Sequence, residues 1–177
     1  MKLTTAYLKI NSVFEKVEKV IAVLLILSIV VVVFAGTVSR YIWNIPIFGI
    51  DRLGTYLMVW LGFVGFQIAT SKIRHIEVEF VKARVKPATK YLLNIISSFT
   101  AAIVIFIFGI LSYRYTKISF EFKDIDTVLN LPMWVVIAII PVSFFISSIR
   151  FLFIALLWND IRMGKRVEAD IIKKQLL

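Results

Sequence analysis

The sequence predicts an all-α membrane protein: four transmembrane helices with an N-terminal amphipathic interfacial helix. Three observations carry this. The chain is 60% hydrophobic, whereas soluble domains sit near 45–50%, so a fold of 177 residues cannot hide its apolar surface without lipid. The apolar residues gather in long runs without period-two alternation, which argues against a β-barrel. Lysine and arginine fall beside those runs rather than inside them. The length suits one compact bundle with no separate soluble domain.

The elements follow in order. Residues 1–19 place Leu3, Ala6, Tyr7, Ile10, Val13, Phe14 and Val17 at helical spacing on one face, with Lys2, Lys9 and Lys16 on another. This pattern fits an amphipathic helix in the interface, its lysines toward anionic phospholipids. A plain extension of the first spanning helix is the alternative. Residues 20–38 carry no charge and are long enough to cross a hydrocarbon core of about 30 Å. They read as a retained anchor, because three more apolar segments follow. Residues 53–71 form the second span and include Gln67; residues 91–113 form the third. Residues 133–158 form the fourth, interrupted by Pro141 and Arg150; residues 159–177 are a tail.

Charge sets the orientation. The two tails and the second loop hold fifteen lysines and arginines, and the first and third loops hold five. The positive-inside rule then places both termini in the cytoplasm. The net charge of +10 is explained by this flanking role, so nucleic acid is not expected as a partner. The first loop is oddly apolar from Trp43 to Ile50, and the third mixes Glu121, Asp124 and Asp126 with Lys117 and Lys123. The first reads as a surface resting on the membrane or on a partner; the third reads as a solvated face, with an outer docking surface as the alternative.

Little here points to catalysis. The chain has no Cys, and His75 is its sole His, so neither a thiolate metal site nor an intrachain bis-histidine haem is possible. No cofactor is expected. Arg150 lies about two turns from the end of the last span, within reach of the headgroups by snorkelling; an ion pair inside a complex is the alternative. Gly54, Gly62 and Gly65, then Asn94, Ser97, Ser98, Ala101 and Ala102, then Ser143 and Ser147 form small-residue strips that let helices approach. Gly62 and Gly65 are expected at a close contact, within the chain or with a partner.

One stretch is more specific. Asp51 and Arg52 open the second helix, followed by Tyr56, Leu57, Trp60, Phe63 and Gly65, then by His75, Ile76, Val78 and Glu79. This resembles the small membrane subunit of tripartite ATP-independent periplasmic (TRAP) transporters, the DctQ-like family. Arg52 stands where that family has a second acid, and Thr55 where a basic residue is frequent. Leu131 and Pro132 before the last helix and Arg150 near its end also match the family. The resemblance implies a non-catalytic subunit of a bacterial inner membrane. Its partners would be a large multi-spanning transport subunit carrying the substrate and sodium sites, and a periplasmic substrate-binding protein delivering an organic acid such as a sialic acid or C4-dicarboxylate.

On this reading Tyr56, Trp60, Gly62 and Gly65 serve helix packing or the large-subunit interface. Asp51, Arg52, His75, Glu79 and Arg150 are boundary residues of the motif, with His75 in a structural hydrogen bond. Ile47, Phe48, Lys123 and Asp124 are candidates for binding-protein docking. The alternative is an independent small transporter, channel or membrane enzyme, which needs a polar path past Gln67, Asn94 and Ser98.

Overall fold

The structure, a computed structural model, describes residues 2–71 and 87–163. His75, Glu79 and the tail beyond Met163 lie outside the described residues. Helix α1 spans Lys2–Tyr41, α2 Ile50–Ser71, α3 Pro87–Glu121, α4 Met133–Ile137 and α5 Ile139–Arg162. Four stretches are long and apolar enough to cross a membrane, the last being Met133–Arg162, which joins α4 and α5.

Helix α1 joins the expected interfacial helix and the first span into one rod of 40 residues, about 60 Å long. No Gly or Pro occurs before Gly36, so nothing in the chain breaks it. Ile10, Val13, Phe14 and Val17 stay exposed, while Tyr7 turns inward and stacks on Phe153 with ring centroids 4.4 Å apart. Helix α3 likewise runs past its apolar stretch and takes in Arg114 and Lys117, because no breaker intervenes before Glu121. The fourth span breaks at Ala138. Pro141 has no N–H for the Ile137 carbonyl, and its ring crowds that carbonyl, so the helix opens one turn earlier.

The expected compact bundle is instead a row. Helix α1 packs on α2, α2 on α5, and α5 on α3, giving the spatial order first, second, fourth, third. Along α1, the buried and part-buried positions Asn11, Glu15, Glu18, Ala22, Leu25, Ile29, Val32, Gly36 and Ser39 recur at alternating steps of four and three. That is a heptad seam, the spacing of left-handed helix packing. Small residues bring the helices together at its far end. A Cβ at Gly36 would lie 3.1 Å from Ile50, and one at Gly54 3.8 Å from Val32. On the other flank, a Cβ at Gly109 of α3 would lie 3.1 Å from the Phe145 ring, and Ser148 donates to the Ala102 carbonyl at 2.9 Å. The buried apolar cluster of Tyr7, Ile154, Leu157, Trp158 and Ile161 sits at the end of the row that holds the start of α1 and the end of α5.

Candidate functional site

Helix α2 is the hub, and its residues divide into three stripes of heptad spacing. Gly54, Leu57, Leu61, Val64 and Ile68 are buried or part-buried on the α1 side. Tyr56, Trp60, Phe63, Gln67 and Thr70 face α4 and α5. Thr55, Met58, Gly62, Gly65 and Ala69 are exposed.

The second stripe is a polar ladder. Tyr56 donates to the Asp126 carboxylate and lies 3.6 Å from the Met133 sulfur. The Trp60 indole donates to the Val136 carbonyl at 3.1 Å, one of the carbonyls in the turn that Pro141 opens. Gln67 Nε2 donates to Ser143 Oγ at 2.7 Å, and the Thr70 and Ser147 hydroxyls share a hydrogen bond at 3.0 Å. Phe63 packs edge-on against Phe144 at 5.7 Å. The Trp60, Gln67 and Thr70 rungs span two parallel helices at nearly constant register, so these polar side chains at membrane depth are satisfied within the protein. The motif residues Tyr56 and Trp60 thus pack inside the chain.

Gly62 and Gly65 do not. A Cβ at either would meet nothing within 4 Å. Of the two placements expected for their close contact, within the chain or with a partner, the first is not found among the described residues: these glycines face outward, because the heptad positions that reach α1 and α5 are taken by other residues.

Arg150 is a second correction. Its side chain does not snorkel outward; the residue is 3% exposed. Nη2 lies 2.8 Å from Glu18 Oε1, and Nη1 donates to the Gln67 carbonyl at 2.5 Å. The reach that would have carried the guanidinium to headgroups is used across the row, where a carboxylate and a helix carbonyl replace water. Nearby, Asn11 Nδ2 donates to the Ser71 carbonyl at 3.2 Å. Glu18 is the functional candidate that the sequence reading missed. Its signal was there: Asn11 and Glu18 stand seven apart, in register with Leu25 and Val32.

At the opposite end the first and third loops meet. Gly49 has φ +81, and a Cβ there would lie 2.6 Å from Leu129, so both the backbone and the contact require glycine. Asp51 pairs with Arg40 at 2.8 Å. Arg52 is exposed and lies within electrostatic reach of Asp126. The Tyr56 hydroxyl and then the Val128 N–H hold the Asp126 carboxyl below its usual range. Ile47, Phe48, Lys123 and Asp124 are all exposed on this end, with Phe48 79% exposed. Among the described residues no group of three or more metal-ligating side chains occurs.

A row of spanning helices, tied by an internal polar ladder and flanked by broad apolar faces, defines the class as a membrane subunit that meets lipid or other membrane proteins over most of its surface. The chain belongs to the DctQ family: residues 29–163 match the family described as tripartite ATP-independent periplasmic transporters, DctQ component. It is similar to the ectoine TRAP transporter small permease protein TeaB of Halomonas elongata, at 22% identity over 83% of this chain and 76% of the relative. The chain is thus a TRAP transporter small permease subunit and a multi-pass inner-membrane protein. Subunits of this kind work with a large permease and a periplasmic binding protein.

Proposed function

We propose that this chain is the non-catalytic small subunit of a sodium-coupled, binding-protein-dependent secondary transporter for organic acids, with both termini in the cytoplasm. It braces the large subunit and helps dock the binding protein. The observation that carries this reading is the exposed stripe Thr55, Met58, Gly62, Gly65 and Ala69. It is a heptad seam with little side-chain bulk that no described helix of this chain occupies. Such a strip suits close approach of a partner's spanning helix, and we assign it to the large subunit. Ile47 and Phe48, brought beside the third loop through Gly49 and Leu129, form with Lys123 and Asp124 an end surface for the binding protein.

The reading leaves the solute to the other two subunits. A sialic acid or C4-dicarboxylate is the class implied by the motif, and ectoine, for which the relative is named, is the further solute to test. The test is reconstituted, sodium-driven uptake of these three solutes with the large subunit and binding protein, with and without this chain. Uptake that is equal without it sinks the proposal.

A further inference from the structure

We propose that the buried Glu18–Arg150 pair is a register lock that fixes where the long α1 rod sits along the rest of the row. The inference is independent of the transport reading. Between Glu18 and Gly36 the inward seam of α1 is Ala22, Leu25, Ile29 and Val32, aliphatic at every step. A slide of one heptad, about 10 Å along the axis, lays apolar on apolar again over this middle stretch, and its packing cost lies at the far end, where Ile29 would take the place of Gly36 beside Ile50. Over the middle stretch, dispersion and lipid exclusion therefore discriminate weakly between the two registers. The charged pair discriminates strongly. In the observed register Glu18 meets Arg150 at 2.8 Å, both residues are at least 95% buried, and Arg150 also holds the Gln67 carbonyl of α2. After a slide, a carboxylate and a guanidinium are left apart in a low-dielectric interior, which is the costly arrangement. Single buried polar groups set register in helical coiled coils in the same manner, at the expense of some stability.

The lock is asymmetric. Arg150 has two partners from two helices. Glu18 has one, and its Oε2 has no hydrogen-bond partner among the described residues. Removing Arg150 alone strands Glu18. Neutralising Glu18 alone leaves Arg150 with the Gln67 carbonyl. Removing both charges leaves an uncharged seam held in register only by the Gly36–Ile50 approach and by uncharged contacts such as Asn11 with the Ser71 carbonyl.

The absence of native Cys permits a direct test by oxidative cross-linking of the full-length chain in membranes. A Cys pair replacing Gly36 and Ile50 reports the observed register, since a Cβ at Gly36 points at Ile50. A pair replacing Ile29 and Ile50 reports a slide of one heptad. With Glu18 and Arg150 present, only the first pair should cross-link. In the double variant Glu18→Gln/Arg150→Met, the second pair should rise at least tenfold above its background while the chain still accumulates. Glu18→Gln alone should show a smaller rise. Exclusive cross-linking of the first pair in both variants overturns the proposal. So does failure of both variants to accumulate, because a register device is dispensable for folding whereas a core support is not.

Discussion

Arg150 shows how one side chain can invert its reading between sequence and structure. Near the end of an apolar run, an arginine has water within reach, and outward snorkelling is the cheap solution. Here a carboxylate on α1 and a carbonyl on α2 converge on it instead. The convergence depends on a helix more than a hundred residues away in sequence, so no local pattern announces it. Asp126 is the corresponding residue at the other end. Its folded pKa is lowered first by the Tyr56 hydroxyl and then by the Val128 N–H. A carboxylate with a lowered folded pKa contributes stability above its unfolded value, and that contribution is lost as pH falls through the folded value. Wild type should therefore exceed Asp126→Asn in thermal stability at neutral pH, with the gap closing only below the ordinary value of 3.8. In Tyr56→Phe the gap should be smaller at neutral pH and should finish closing at higher pH. Melting the purified protein across pH 3–7 checks both, and a gap independent of pH removes the ionised Asp126 from the account.

At the scale of elements, the spans were legible because length and uninterrupted apolarity are local properties. Their rotation was not. The face of α1 read as apolar, with Ile10, Val13, Phe14 and Val17, is turned outward, and the inward seam mixes Asn11, Glu15 and Glu18 with aliphatics. In a bilayer the apolar face need not be the core face, since lipid replaces water outside. The glycines separate in the same manner. Gly54 was read as part of one strip with Gly62 and Gly65, yet it alone of the three abuts another helix. We expect two contrasting substitutions to resolve their roles. Gly109→Leu drives a side chain into the Phe145 ring, 3.1 Å from the modest start of a Cβ, and overpacking of this kind costs about 1–3 kcal/mol. The isolated chain should melt earlier. Gly65→Leu meets nothing in the chain and should leave that melt unchanged while lowering the yield of complex with the large subunit. If Gly65→Leu destabilises the isolated chain, the stripe packs internally after all; if neither measure moves, it faces lipid.

For the whole molecule, the row arrangement bears on orientation and on transport together. The charge asymmetry predicts cytoplasmic termini, and single Cys residues test this. A Cys replacing Asp124 should react with a membrane-impermeant thiol reagent in spheroplasts, and one appended at the C-terminus should not. The opposite pattern inverts the topology.

Transport by this chain alone is the claim with the most at stake. Moving an organic anion through it would require a site at membrane depth with polar groups to replace the water removed. An isolated carboxylate in such a medium is strongly disfavoured without a cation. The charged side chain within the fourth span, Arg150, is already engaged by Glu18 and the Gln67 carbonyl. Gln67 and Thr70 are bonded to Ser143 and Ser147. Asn94 is buried with its Nδ2 unpartnered among the described residues, but it stands on α3, across α5 from Gln67, and α3 and α2 do not pair as major neighbours. The residues once considered for a polar path therefore lie on separate seams of the row. Proteoliposomes holding only this chain should show no sodium-driven uptake of sialic acid, C4-dicarboxylate or ectoine, and adding the large subunit and binding protein should establish it for the proper solute. Ile47→Asp, Phe48→Ala and Asp124→Lys should then lower the uptake rate more than complex yield, because those residues lie on the exposed end and away from the seams. Saturable, gradient-driven uptake by the purified chain alone would show that a path opens through the polar ladder itself, and the bracing role would have to yield to it.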